Sequence, residues 1–150
     1  VFDYTSALVA GDGTAVASGT NITLTEVNTQ LTGTTDISAN STGAIEFNYT
    51  QAYLSFDLDT TAAATVITNI EALLNASSTL TSGGVLAQGV ANTDMLFVFY
   101  EASGQGSQLD AVVARYQEGA TSEASFSGEI TLLADFHGVA AGDLSDASFA

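Results

Sequence analysis

The chain has 150 residues with seventeen carboxylates, a single arginine, Arg115, and no lysine, cysteine or proline, for a formal charge of −16 at pH 7. A surface so short of cations repels nucleic acid and anionic lipid and offers no clamp for phosphorylated substrates; what it attracts is cations. At 46% hydrophobic residues the chain is too apolar for disorder, it is long enough to bury roughly 70% of its unfolded surface as one domain over residues 1–150, and the absence of Cys excludes disulfide frameworks and thiolate metal sites.

The first residues, Val1, Phe2, Asp3 and Tyr4, carry neither a Met nor a basic and apolar leader, as expected of a processed or excerpted chain. Phe2, Tyr4 and Leu8 fall on one face of a first strand, and Asp12-Gly13 signals a turn after it. Ile22 and Leu24 share a face of a second strand, with Thr23 and Thr25 opposite. Residues 28–43, rich in Thr, Asn and Ser, read as loop or edge strand.

From Gly43 the alternation sharpens. Ile45, Phe47 and Tyr49 hold odd positions, then Leu54, Phe56 and Leu58 hold even ones. Strand faces alternate with period two, so the flip between Thr50 and Tyr53 requires a turn, a bulge or a change of buried face; a hairpin or bulge is expected there.

Residues 60–76 break the strand rhythm, with Ala63, Val66, Ile67, Ile70, Leu73 and Leu74 at helical spacing and Asp59, Thr60 and Thr61 as N-cap candidates. Its β-branched residues weaken the propensity, so a helix lying across a sheet is expected. After Gly83-Gly84 come strands at 85–90, 95–101, 109–117 and 124–136, with a last short one near Phe149. The apolar run at 95–100 suits one buried strand and is far too short for a membrane helix. The expected fold is all-β, mainly antiparallel and sandwich-like, with one α-helix around residues 60–76, in a chain that does not insert into membranes.

Three acidic spots are candidates for calcium, which takes carboxylate and carbonyl oxygens. Glu101 and Asp110 shoulder a glycine-bearing hairpin and can converge on a cation; a solvated hairpin tip is the plainer reading. Asp57 and Asp59 share a strand face, and a cation would relieve their repulsion, although Asp59 as helix cap is favoured. Asp143 and Asp146 form a loop-like pair, either cation ligands or solubilising charges.

Catalysis finds little support. His137 is the only imidazole, sharing a strand face with Asp135, and there is no nucleophile elbow or second metal-ligating His. Paired carboxylates for glycoside hydrolysis are the weaker alternative, without tryptophan platforms to accompany them. No catalytic residue is assigned. Arg115 is expected to pair with a cross-strand carboxylate and fix register. Asn21, Asn40, Asn48 and Asn75 head Asn-x-Ser/Thr sequons.

The run 67–74, the segment Asp94-Met95-Leu96-Phe97-Val98-Phe99-Tyr100-Glu101, the segment Leu109-Asp110-Ala111-Val112-Val113-Ala114-Arg115 and the closing stretches 128–139 and 144–149 resemble the C-terminal regions of bacterial RTX-type proteins. The resemblance covers about residues 55–150. It implies export by type I machinery, a surface or extracellular life and calcium nearby. The glycine-rich nonapeptide repeats of that group are absent, so no parallel β-roll is expected and no coordinating residue is carried over.

The composition and the resemblance together suggest a secreted structural protein, a self-assembling subunit of a filament or surface layer aided by calcium. Residues 1–9 would serve as an exchangeable edge strand that adds to a neighbour's sheet. The alternative is a monomeric C-terminal module serving export or adhesion for a larger protein.

Overall fold

A computed structural model describes residues 24–33, 35–36, 43–76, 80–82, 86–87, 94–117 and 125–145. The first strand with Phe2, Tyr4 and Leu8, the turn at Asp12-Gly13, Ile22, the strand near Phe149, Asp146, Asn21 and Asn40 lie outside them. The described elements are β1 (Leu24–Val27), β2 (Leu31–Thr32), β3 (Thr35–Asp36), β4 (Ala44–Phe47), α1 (Ala63–Asn75), β5 (Thr81–Ser82), β6 (Leu86–Ala87), β7 (Asp94–Tyr100), β8 (Asp110–Gln117) and β9 (Ile130–His137). The molecule is mostly β with one α-helix among the described residues, and that helix is not long and apolar enough to cross a membrane.

The main sheet has five strands in the order β1-β4-β7-β8-β9. Strands β1, β4 and β7 run parallel, while β8 pairs antiparallel with both β7 and β9. Two short pairs, β2 with β5 and β3 with β6, are also parallel. The sheet is therefore mixed, which corrects the mainly antiparallel expectation. The reason lies in β4 and β7. All of their residues are buried, so neither strand shows the in-and-out alternation that separates a solvated antiparallel strand from a central parallel one. The crossover that parallel pairing needs is long enough to hold α1.

Each face of the sheet has its own core. Met95, Phe97 and Phe99 of β7, with Val112, Ala114 and Tyr116 of β8, pack with Val66, Ile70 and Leu74 of α1. On the other face Leu96, Val98 and Tyr100 join Ala111 and Val113, covered by Phe136, Val139, Ala141 and Leu144. Phe47 stacks on Phe99 with ring centroids 5.0 Å apart, linking β4 to β7 within the first core.

The helix runs 63–75 rather than 60–76 and buries Val66, Ile70 and Leu74 at four-residue spacing. None of the three cap candidates caps it: the N-cap is Ala62, with no side-chain hydrogen bond. Thr61 Oγ1 donates instead to the Asp57 carbonyl, and Asp59 lies against His137. The other end is tied to the turn before β9. Asn75 Oδ1 accepts the Phe126 N–H at 3.0 Å and Glu71 Oε1 accepts the Gly128 N–H at 2.7 Å. Tertiary packing of one apolar stripe thus outweighs modest propensity.

The parity flip at 50–53 is a 3-10 turn over Thr50–Ala52, not a hairpin or bulge. Beyond it Leu54 makes a single parallel bridge to Glu101, and residues 55–58 form no strand, although Leu54 and Leu58 are buried. The described bulge lies elsewhere. Between β8 and β9 the register slips at Val113/Ala114, where Val113 faces Ala134 but Ala114 faces Leu132.

Candidate metal centre

Strand pairing places three polar groups in one row. The β7–β8 register pairs Tyr100 with Ala111, and the next step is kept by the Glu101 N–H donating to the Asp110 carbonyl at 2.9 Å. Across β8, Asp110 pairs directly with His137. Glu101, Asp110 and His137 therefore form a rung at one end of the sheet. Period two puts Glu101 on the face of Met95, Phe97 and Phe99, and Asp110 on the face of Val112 and Tyr116, the face that α1 covers. The turn leading into α1 crosses this end and brings Asp57 and Asp59 to the same rung.

Asp59 Oδ1 lies 2.6 Å from His137 Nδ1, and Asp110 Oδ2 lies 3.4 Å from the same nitrogen. Single donor atoms of Asp59, Asp110 and His137 all fall within 4.8 Å of one another. An imidazole Nδ1 carries one proton or one lone pair, so it cannot satisfy two carboxylates at once. Asp110 is buried, and its Oδ1 accepts the Gly138 N–H at 2.8 Å. Glu101 is 2% exposed. Its Oε2 accepts the Leu58 N–H at 2.9 Å, while Oε1 accepts nothing among the described residues.

The electrostatics follow from this crowding. His137 is raised above its ordinary value, first by the hydrogen bond to Asp110, against a desolvation that lowers it, with the charges of Asp59, Asp135 and Asp110 adding to the rise. Asp135 is also raised. Burial is the first cause; the charge of His137 opposes it, and those of Asp110, Asp59 and Glu101 reinforce it.

The two acidic pairs picked from the sequence as separate spots, Asp57 with Asp59 and Glu101 with Asp110, meet at this one end. Within the first pair the carboxylates diverge: Asp59 turns to His137, and Asp57 Oδ1 accepts the Asp59 N–H at 2.9 Å. Asp143 takes no part. Its Oδ2 accepts the Ala140 N–H at 3.0 Å and closes its own turn. His137, which the sequence sets only beside Asp135, joins this group; the signal that places it opposite Asp110 is the strand register, which a bulge shifts.

Arg115 stands at the far end of the same strands. Its Nε donates to Asp94 Oδ1 at 2.8 Å, its terminal nitrogen pairs with Asp94 Oδ2, and this pairing is the first cause raising the guanidinium above its usual value. On the second face the Tyr100 hydroxyl donates to buried Glu46, whose Oε1 also accepts the Gly142 N–H at 3.1 Å. Burial, then that carboxylate, pushes Tyr100 far up. Of the sequon asparagines, Asn48 bonds Glu26 and Tyr53, and Asn75 bonds Ser127 and Phe126.

Comparison of the chain with protein-family models, with curated proteins and with solved structures finds no match.

Proposed function

We propose that the chain is a secreted, non-catalytic structural module, a self-assembling subunit of an extracellular filament or surface layer, that takes up a divalent cation at Asp59, Asp110 and His137. The observation that supports this reading is the single imidazole nitrogen facing two carboxylates. A cation seated among the three replaces one poorly shared proton with three ligand bonds. Two carboxylate oxygens and one imidazole nitrogen suit Zn²⁺ better than calcium, which takes oxygen ligands. At −16 the subunits repel one another, and bound cations together with screening lower that barrier to assembly. In this reading the five-stranded sheet is one layer of a sandwich-like domain, and residues 1–9 add as a strand to an outer edge of a neighbour's sheet, at β1 or β9.

The test is sedimentation velocity with negative-stain imaging of the full chain, in millimolar CaCl₂, in ZnCl₂ and in chelator. Ordered polymers in the presence of metal that dissolve in chelator support the proposal. Removing residues 1–9 should abolish polymer and leave a folded monomer. A monomer under every condition overturns self-assembly in favour of a monomeric export or adhesion module.

A further inference from the structure

The loop from β7 to β8 contains a glycine whose backbone does not explain it. Gly104 takes a left-handed conformation at φ 87°, but Gly106 is not among the positive-φ glycines. What Gly106 provides is close approach. A Cβ at that position would stand 2.9 Å from Glu101 Oε1 and 3.3 Å from Asp57 Oδ1. The Gly106 backbone is thus packed directly against carboxylate oxygens from two separate segments, the end of β7 and the turn before α1.

One of these oxygens is the unpartnered Oε1 of Glu101, on a side chain 2% exposed. A buried carboxylate oxygen without a donor is costly and calls for a hydrogen-bond donor, a water or an ion. The chain has no lysine. Its only arginine is paired with Asp94 at the opposite end of β7, and His137 Nδ1 is engaged with Asp59 and Asp110. Among the described residues no cationic side chain pairs with this oxygen, so a cation beside it would come from solution.

We infer that Glu101 Oε1 and Asp57 Oδ1 hold a hard divalent cation of the calcium class beneath Gly106, in a seat distinct from the one formed by Asp59, Asp110 and His137. The donors differ in kind: this seat offers carboxylate oxygens alone, which calcium accepts at about 2.3–2.6 Å. Loop carbonyls and water complete its six to eight ligands. The seat fastens the 57–59 turn to the 101–110 loop, two segments joined otherwise by the Leu58 N–H bond to Glu101 Oε2.

Gly106→Ala provides a direct test, because it removes no donor, suits the backbone and presses a methyl onto both carboxylate oxygens, which forces them out of place. The chelator-stripped full chain is titrated calorimetrically with CaCl₂ at pH 7, alongside Gly106→Ala, Glu101→Gln and His137→Ala, each checked for fold by circular dichroism. The wild type and His137→Ala should take up calcium, with uptake at least about ten-fold weaker in Gly106→Ala. Glu101→Gln keeps an oxygen for the Leu58 N–H and should lose uptake while folded, which decides the matter should the alanine variant fail to fold. Unchanged uptake in a folded Gly106→Ala overturns the seat, as does absence of uptake by the wild type. Equal loss in His137→Ala and Gly106→Ala merges the two seats into one and overturns their separation. Loss of zinc uptake in His137→Ala reports on the other centre alone.

Discussion

Strand β7 carries a buried acid near each end, and the chain treats the two oppositely. Asp94, 1% exposed, receives the only guanidinium in the sequence through hydrogen bonds from two of its nitrogens. Glu101, 2% exposed, receives one backbone N–H on one oxygen and nothing described on the other. Both lie beside strands that are otherwise apolar, so the difference does not come from burial. It comes from supply: with one arginine for seventeen carboxylates, one end of the sheet receives the guanidinium and the other does not. The end with Arg115 holds a structural ion pair, and the end with Glu101, Asp110 and His137 is where we propose that exchangeable cations bind.

The largest expected effect comes from breaking the self-sufficient end. Arg115→Ala takes the guanidinium away from buried Asp94, and removing one partner of such a pair costs about 3 kcal/mol. Urea unfolding should show the midpoint falling without a change in slope. Glu101→Gln, measured with chelator present, should cost far less or even stabilise, because it removes a buried carboxylate that no cationic side chain pairs with and keeps an oxygen for the Leu58 N–H. Equal losses in the two variants would mean that the ends are alike and that the contrast drawn from their hydrogen bonds is wrong.

Calcium sharpens the comparison with a smaller effect. A cation bound only to the folded chain stabilises by mass action, about 2.7 kcal/mol at a hundred-fold excess over its dissociation constant. For a chain of this size that corresponds to a rise in Tm of roughly 5–10 °C. Scanning calorimetry should show that rise in the wild type and in Arg115→Ala, whose lesion is at the other end, and lose it in Gly106→Ala. A calcium effect that vanishes in Arg115→Ala would place the ion elsewhere.

The same contrast explains what could be read from the residues in advance. Residues 95–101, 109–117 and 124–136 announce strands through runs of apolar and β-branched residues, and Val66, Ile70 and Leu74 announce the helix through spacing; the structure has a helix and strands there, but the last strand begins only at Ile130, after a turn. Parallel pairing was hidden because Ala44, Ile45, Glu46 and Phe47 are all buried, so their pattern encodes no solvent face and no partner direction. Asp59 reads as a cap because the helix begins nearby, yet Ala62 opens α1 three residues later and frees the carboxylate for His137. The acids themselves were visible. What periodicity could not supply was the register that sets Glu101, Asp110 and His137 in one row, since it depends on a one-residue slip at Val113/Ala114.

The smallest effect is the dependence on pH, and its sign separates an empty centre from a filled one. His137 is raised in the fold above the 6.5 of an ordinary imidazole, chiefly by Asp110. A group raised on folding binds its proton more tightly in the native state. Its stabilisation is therefore complete below about pH 6.5 and fades as pH rises through the higher native value. In chelator, the wild type should lose stability relative to His137→Gln between pH 6 and pH 8, a modest change because the ring is exposed. With zinc present the dependence should reverse. A metal requires the neutral imidazole and displaces its proton, so zinc binds more tightly as pH rises. The wild type should then gain on His137→Gln across the same interval. Thermal midpoints at the two pH values, with and without zinc, give both signs in one experiment. The same sign in both conditions would mean that the nitrogen keeps its proton and that Asp59, Asp110 and His137 are an ion-pair cluster, leaving Glu101 and Asp57 as the cation seat of this end.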